Sequence, residues 1–181
     1  MELKLSSESI KIIQYARDEA MRTGSYAICV DHLTLAILRD GKNEACRILS
    51  ELGIDAPELK DYIDSLIFSS RAVPFSDSSK VGISRGVEST INLAAHEALR
   101  KGSTTVGPEH LLTAICRAGA SASKTYLSEL GVTAEAISGR VRSGAGAEEP
   151  KAAAEPERPA SEPATIAKII FKPGAPGKIF S

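Results

Sequence analysis

The sequence contains no tryptophan, and only 4% of its 181 residues are aromatic. Sheet proteins usually draw on aromatic and β-branched side chains, whereas alanine and leucine favour helices. Because 43% of the residues are nevertheless hydrophobic, the core must be aliphatic. The composition therefore favours an all-α fold.

Cysteine is scarce as well, and the three cysteines (Cys29, Cys46 and Cys116) form no C-x-x-C pair. This pattern indicates neither a disulfide framework nor a zinc site, and favours reduced thiols in the cytoplasm. No apolar run approaches the roughly 18 residues of a membrane span. The net charge of -1 gives no basic excess for nucleic acid. We expect a cytoplasmic protein with no nucleic-acid or membrane partner.

Motifs for catalysis are also missing. There is no G-x-x-x-x-G-K-S/T phosphate-binding loop, which excludes an ATPase module in this sequence. His32 and His110 each follow an acidic residue, but each lies in a different stretch of chain, so packing is favoured over a metal site or a general base. Cys116 lies in an apolar helical pattern and is expected in the core. We expect no enzyme activity, no cofactor and no metal.

An internal repeat is the most informative feature that is present. Shifting the sequence by 78 residues aligns two copies without a gap, so that His32 meets His110. The run Leu49-Ser50-Glu51-Leu52-Gly53 returns as Leu127-Ser128-Glu129-Leu130-Gly131. Further identical pairs are Ser6 and Ser84, Ile13 and Ile91, Ala16 and Ala94, Glu19 and Glu97, Arg22 and Arg100, and Gly24 and Gly102.

Helical spacing and capping residues predict four helices in each copy. In the first copy they run from Ser6 to Gly24 and over about 31–39, 44–52 and 55–67. In the second copy they cover about 84–101, 108–116, 121–130 and 133–142. The predicted fold is all-α: two tandem four-helix repeats, 4–68 and 82–143, form a pseudo-twofold eight-helix domain over 1–143. We expect no β-sheet before Ser143.

The remaining segments differ in composition. The serine-rich composition of residues 69–82 predicts a surface linker. Residues 144–165 are rich in Ala, Glu and Pro, which predicts a flexible, disordered connection. Residues 166–181 form a short apolar C-terminal segment. Its residues Ile169, Ile170 and Phe171 are candidate docking residues, either for a groove on a partner or for the chain's own helical surface.

Two pairs of strings carry a resemblance to a known family. They are Val30-Asp31-His32-Leu33 with Val106-Gly107-Pro108-Glu109-His110-Leu111-Leu112, and the two Leu-Ser-Glu-Leu-Gly runs. These resemble the N-terminal domain of Clp-type AAA+ unfoldases, closest to the ClpC-like branch, over about residues 4–142. The resemblance implies a compact domain that recognises substrates or adaptor proteins and carries no chemistry of its own.

The ClpC-like branch also implies two pockets for phosphorylated arginine, in which an acid holds the guanidinium and a helix-capping hydroxyl helps to hold the phosphate. Carried over by position within each copy, Glu109 goes with Ser84, and Asp31 goes with Ser6. Asp31 stands where the family has Glu, and Cys29-Val30 replaces the usual Gly-Thr or Gly-Pro. An acid beside a helix N-terminus suits a ligand with both charges. The alternative is that these residues only cap helices and complement their dipoles.

Two classes of function remain open. One is a binding module that selects client or adaptor proteins for a Clp-type unfoldase or protease. The other is a structural accessory subunit that regulates assembly of the Clp complex.

Overall fold

The computed structural model describes residues 3–142, and the predicted connection 144–165 and apolar segment 166–181 lie outside them. Within 3–142 there are two sets of four α-helices. The first set comprises α1 Ser7–Thr23, α2 Val30–Asp40, α3 Glu44–Glu51 and α4 Ala56–Ile67. The second comprises α5 Arg85–Arg100, α6 Pro108–Arg117, α7 Ala122–Glu129 and α8 Ala134–Ser138. The predicted all-α class and tandem four-helix organisation are confirmed.

The two sets keep one register along the chain. Each helix of the second set begins 78 residues after its counterpart, as Ser7 and Arg85 show for α1 and α5. Their first turns are also built alike: the Ser6 hydroxyl accepts the N–H of Ser9, and the Ser84 hydroxyl accepts that of Val87. The predicted helix starts are right because capping is a local property of a few adjacent residues.

The core is aliphatic, as the composition requires. Helices α2 and α6 lie at its centre, since most of their residues are buried, including Leu33, Ile37, Leu111 and Ile115. α1 packs on α2 and α5 on α6, while α3 against α6 and α4 against α7 join the two copies. Every buried hydrophobic side chain in the described part of the protein is Leu, Ile, Val or Ala.

A buried glutamate connects the first two helices of each copy through ion pairs. Glu19 of α1 accepts from Arg22 at 2.7 Å and from Arg39 of α2 at 3.3 Å. In the second copy, Glu97 of α5 pairs with Arg100 at 2.7 Å and with Arg117 of α6 at 3.0 Å. Because each carboxylate is almost fully buried, its two guanidinium partners offset the cost of removing the charge from water.

The prediction that no β-sheet precedes Ser143 is wrong. Four two-residue strands occur: β1 Lys4–Leu5, β2 Ala27–Ile28, β3 Gly82–Ile83 and β4 Thr105–Val106. β1 pairs in parallel with β4, and β2 pairs in parallel with β3. Strands this short contain no alternating pattern that a sequence could reveal. Both pairs join one copy to the other, and exchanging the copies converts one pair into the other, as a pseudo-twofold arrangement requires.

The segment between the copies is more closely packed than a surface linker. It contains a 3₁₀ helix at Phe75–Lys80, and its residues Val73 and Val81 are buried. The N–H groups of Ser69 and Val73 donate to carbonyl oxygens at the end of α1. Helix α8 is shorter than the expected 133–142, since it ends at Ser138.

Within 3–142 no helix combines the length and apolar character needed to cross a bilayer. The same residues contain no group of three or more His, Cys, Asp or Glu side chains placed to hold a metal ion.

We predict that Gly24→Ala destabilises the fold more than Gly53→Ala does. Both glycines have positive φ, +84° and +76°, which costs an alanine about 1–2 kcal/mol. A methyl group at Gly24 would also collide with the Arg71 carbonyl oxygen, whereas nothing lies within 4 Å of one at Gly53. Urea unfolding of the two variants measures the difference, and equal losses would contradict the close packing described for Gly24.

Candidate functional site

The start of α1 lies against the chain that leads into α6. The N–H of Ser6 donates to the carbonyl oxygen of Val106 at 3.0 Å, and the hydroxyl of buried Ser9 donates to the same oxygen at 2.8 Å. Glu109 follows Val106 by three residues, in the first turn of α6. We call this place, defined by Ser6 and Glu109, the first junction.

The start of α5 lies in the corresponding way against the chain that leads into α2. The N–H of Ser84 donates to the carbonyl oxygen of Ile28 at 3.1 Å, and Asp31 lies in the first turn of α2. We call this place, defined by Ser84 and Asp31, the second junction. Pairing Glu109 with Ser84, and Asp31 with Ser6, is therefore wrong, because the strands join each helix start to the other copy.

The Glu109 side chain folds back over Gly107, where an added Cβ would collide with the carboxylate. Its Oε1 lies 3.0 Å from Nδ1 of His110, but Nδ1 already accepts the Gly107 N–H at 3.0 Å. With Nδ1 as an acceptor, no donor within the described residues hydrogen-bonds this carboxylate. The side chain is 16% exposed, so an incoming cation can reach it.

Glu8 adds a second negative charge at the first junction. Partial burial raises the pKa of the Glu8 carboxyl, and the negative charges of Asp40, Glu109 and Glu44 raise it further. The cluster therefore favours a cation, and a bound cation would bring the Glu8 pKa back down. The sequence analysis did not identify Glu8. Comparing the two copies could have found it, because the residue at the matching position is Gly86. This difference makes the first junction more acidic than the second.

Asp31 makes a different set of contacts. Its carboxylate accepts the N–H of Ala122 at 3.2 Å and both the N–H and the hydroxyl of Ser123 at 2.8 and 2.6 Å. It thereby caps α7, together with the Ser121 hydroxyl, which accepts the Lys124 N–H. Cys29 stands where the second copy has Gly107, so the backward fold of Glu109 is unavailable to Asp31.

The histidines pack as the sequence predicts. His32 is buried and uses both ring nitrogens: Nδ1 accepts the Cys29 N–H at 2.9 Å, and Nε2 lies 2.8 Å from the Thr23 hydroxyl. Burial lowers the pKa of His32. His96 is exposed. The Cys116 thiol is no nucleophile at neutral pH, since burial raises its pKa to about 12.

Two tandem four-helix copies, joined through crossed strand pairs and carrying an acid beside a helix start at each junction, define a class of helical double-repeat domains. The family of Clp repeat (R) N-terminal domains matches residues 4–153. The chain belongs to this family, as the Clp-like strings predict.

Curated relatives share this region. The chain is 27% identical over 130 residues to the "Negative regulator of genetic competence ClpC/MecB" of Bacillus subtilis, which covers 72% of this chain and 16% of the relative. It is 25% identical over 130 residues to "Chaperone protein ClpB" of Oceanobacillus iheyensis, and this alignment also covers 72% of this chain and 16% of the relative. The chain thus spans about one sixth of the length of these relatives.

Solved structures share the fold. A protein from structural investigations of a malarial protein secretion system has 26% identity and a TM-score of 0.64, over 75% of this chain and 90% of that one. The N-terminal domain of the caseinolytic protease associated chaperone ClpD from Arabidopsis thaliana has 16% identity and a TM-score of 0.58, over 76% and 94%. At that identity the likeness concerns the fold alone.

We predict that Asp31→Ala lowers the free energy of unfolding by about 2–3 kcal/mol, because it leaves buried donors at the start of α7 without their charged acceptor. Glu109→Ala should cost less than about 1 kcal/mol, since that carboxylate contributes chiefly to the dipole of α6. Urea unfolding of both variants provides the comparison. Equal losses, or a larger loss for Glu109→Ala, would show that the two acids do not have these different roles.

We also predict a pH-dependent contribution from His32. Because burial lowers its pKa, the stability it contributes is present above the unfolded pKa of about 6.5 and is lost as the pH falls below it. Between pH 7 and pH 5, His32→Gln should therefore lose less stability than the unmodified protein. His96→Gln, at an exposed position, serves as the control and should leave the slope unchanged. The same slope in the His32 variant and the unmodified protein would refute the assignment.

Proposed function

We propose that the chain is a substrate- or adaptor-binding module of a Clp-type ATP-dependent unfoldase and protease, and that it is not itself an enzyme. Family membership and the names of its curated relatives, ClpC and ClpB, support this proposal. Its partners would be client or adaptor proteins together with Clp-type unfoldase or protease subunits, in the cytoplasm.

The ligand we propose is phosphorylated arginine, bound at the first junction. The observation that carries this proposal is the Glu109 carboxylate, which is partly exposed and lies near the N-terminal end of α1. A guanidinium would bind Glu109, and a phosphate would meet the free N–H groups of the first turn of α1 beside the Ser6 hydroxyl. Glu8 would strengthen the attraction for the guanidinium and weaken that for the phosphate.

We propose the second junction, Ser84 with Asp31, as a weaker site. Asp31 would have to give up its hydrogen bonds to α7 before it could hold a guanidinium. The start of α5 offers Ser84 and Arg85, which suit a phosphate alone. Divergence of the two copies therefore favours one ligand per chain over two.

We predict that Glu109→Gln weakens binding of free phosphoarginine about 10- to 150-fold, which corresponds to losing a charge-assisted contact of about 1.5–3 kcal/mol. Calorimetry or NMR titration at millimolar ligand measures the effect. The charge-matched control is Glu129→Gln, at an exposed position at the end of α7, which should bind like the unmodified protein. Unmodified arginine tests whether the phosphate contributes.

The site proposal fails if phosphoarginine produces neither heat nor chemical-shift changes, or if the changes surround Ser84 and spare Ser6. Affinity purification with the intact chain separates the two classes of function. Client proteins in the eluate would support the binding module. Stoichiometric recovery of unfoldase or protease subunits, without clients, would support the accessory subunit instead.

A further inference from the structure

Both phenylalanines of the described residues, Phe68 and Phe75, lie outside the core, in and beside the segment that connects the two copies. The sequence contains two more, Phe171 and Phe180, which belong to the C-terminal segment outside the described residues. Phe75 is 87% exposed and Phe68 is 56% exposed, and Tyr26 close by is 49% exposed. A domain whose core contains only aliphatic side chains thus presents its largest apolar rings to solvent.

Tyr26, Phe68 and Phe75 gather around the end of α1 and form what we call the aromatic face. The Arg22 guanidinium lies 5.9 Å from the centre of the Phe68 ring. The Tyr26 hydroxyl donates to the Asp77 carboxylate at 2.8 Å, two residues after Phe75. The Ser69 and Val73 N–H groups hold the chain between the two phenylalanines to the last turn of α1.

The aromatic face belongs to one copy only. At a shift of 78 the counterpart of Tyr26 is Thr104, and the 3₁₀ helix that carries Phe75 lies in the linker between the copies. Exposed apolar side chains that lie near one another on a small protein are characteristic of interaction surfaces. Neither pseudo-symmetry nor core packing accounts for these three rings.

Composition identifies an occupant within the same chain. The charged groups that the structure places at the aromatic face have both signs: Arg22 lies over Phe68, and Asp77, which is bonded to Tyr26, pairs with Lys80, so the face selects for apolar side chains more than for charge. Segment 166–181 contains Lys168, Lys172 and Lys178 and no acidic residue. Its apolar residues are Ile166, Ile169, Ile170, Phe171, Ile179 and Phe180. The isoleucine and phenylalanine side chains of this segment are the apolar groups that the exposed rings can pack against.

We propose that the aromatic face is the docking surface for the chain's own segment 166–181. The 24 peptide units between Arg142 and Ile166 can span at most about 80 Å, whereas a domain of this size has a radius of gyration of about 14 Å. The segment can therefore reach the face without leaving its own chain. Covalent connection gives it an effective concentration in the millimolar range for short connections, so a modest apolar contact suffices.

The test uses the full chain with two variants, Phe171→Ala combined with Phe180→Ala, and Phe75→Ala. Backbone amide chemical shifts are compared with those of the unmodified protein. The tail variant should shift amides around Tyr26, Phe68 and Phe75, and Phe75→Ala should shift amides within 166–181. Raising the salt concentration should leave both sets of changes in place, because the proposed contact is apolar and is not screened by salt.

Leu130→Ala is the control, since Leu130 is as exposed as Phe68 at 56% but lies at the end of α7. It should leave the resonances of 166–181 unchanged. Shifts caused by the tail variant on another face, or none within 3–142, would overturn the proposal. So would shifts that vanish on dilution, which indicate a second copy, or that appear only when a partner protein is added. Phosphoarginine titration of the same tail variant reports separately on the first junction.

Discussion

The crossed pairing of the short strands is the constraint on which the rest of the molecule depends. β1 leads into α1 and β3 into α5, while β2 and β4 precede α2 and α6. Pairing β1 with β4 and β2 with β3 therefore fixes which helix start faces which acid. The few hydrogen bonds involved contribute little stability compared with the aliphatic core, but they set the position of Ser6 against Glu109 and of Ser84 against Asp31.

Local signals account for what the sequence predicts correctly. Ser6, Asp55 and Gly24 act within one helical turn, so the starts and ends of most helices can be predicted from their neighbours. The contacts that build the junctions are long-range: Asp31 meets residues 91 and 92 positions away. No periodicity encodes such a contact, which is why the family resemblance could name the candidate site residues but not their pairing.

One substitution between the copies explains much of their divergence. Gly107 leaves room for the Glu109 carboxylate to fold back, and Cys29 at the matching position removes that room. The shorter acid, Asp31, extends to α7 and becomes a structural cap. Of the two matching acids, Asp31 thus stabilises the fold, whereas the Glu109 carboxylate remains accessible to a ligand. Family membership alone could not have distinguished them.

A double-mutant cycle on phosphoarginine binding tests most directly whether the site combines both copies. The pairs are Ser6→Ala with Glu109→Gln, and Ser84→Ala with Glu109→Gln. Residues that share one ligand couple by about 0.5–3 kcal/mol, whereas distant residues add independently. We expect coupling for Ser6 with Glu109 and none for Ser84 with Glu109. Coupling between Ser84 and Glu109, with none for Ser6, would contradict it.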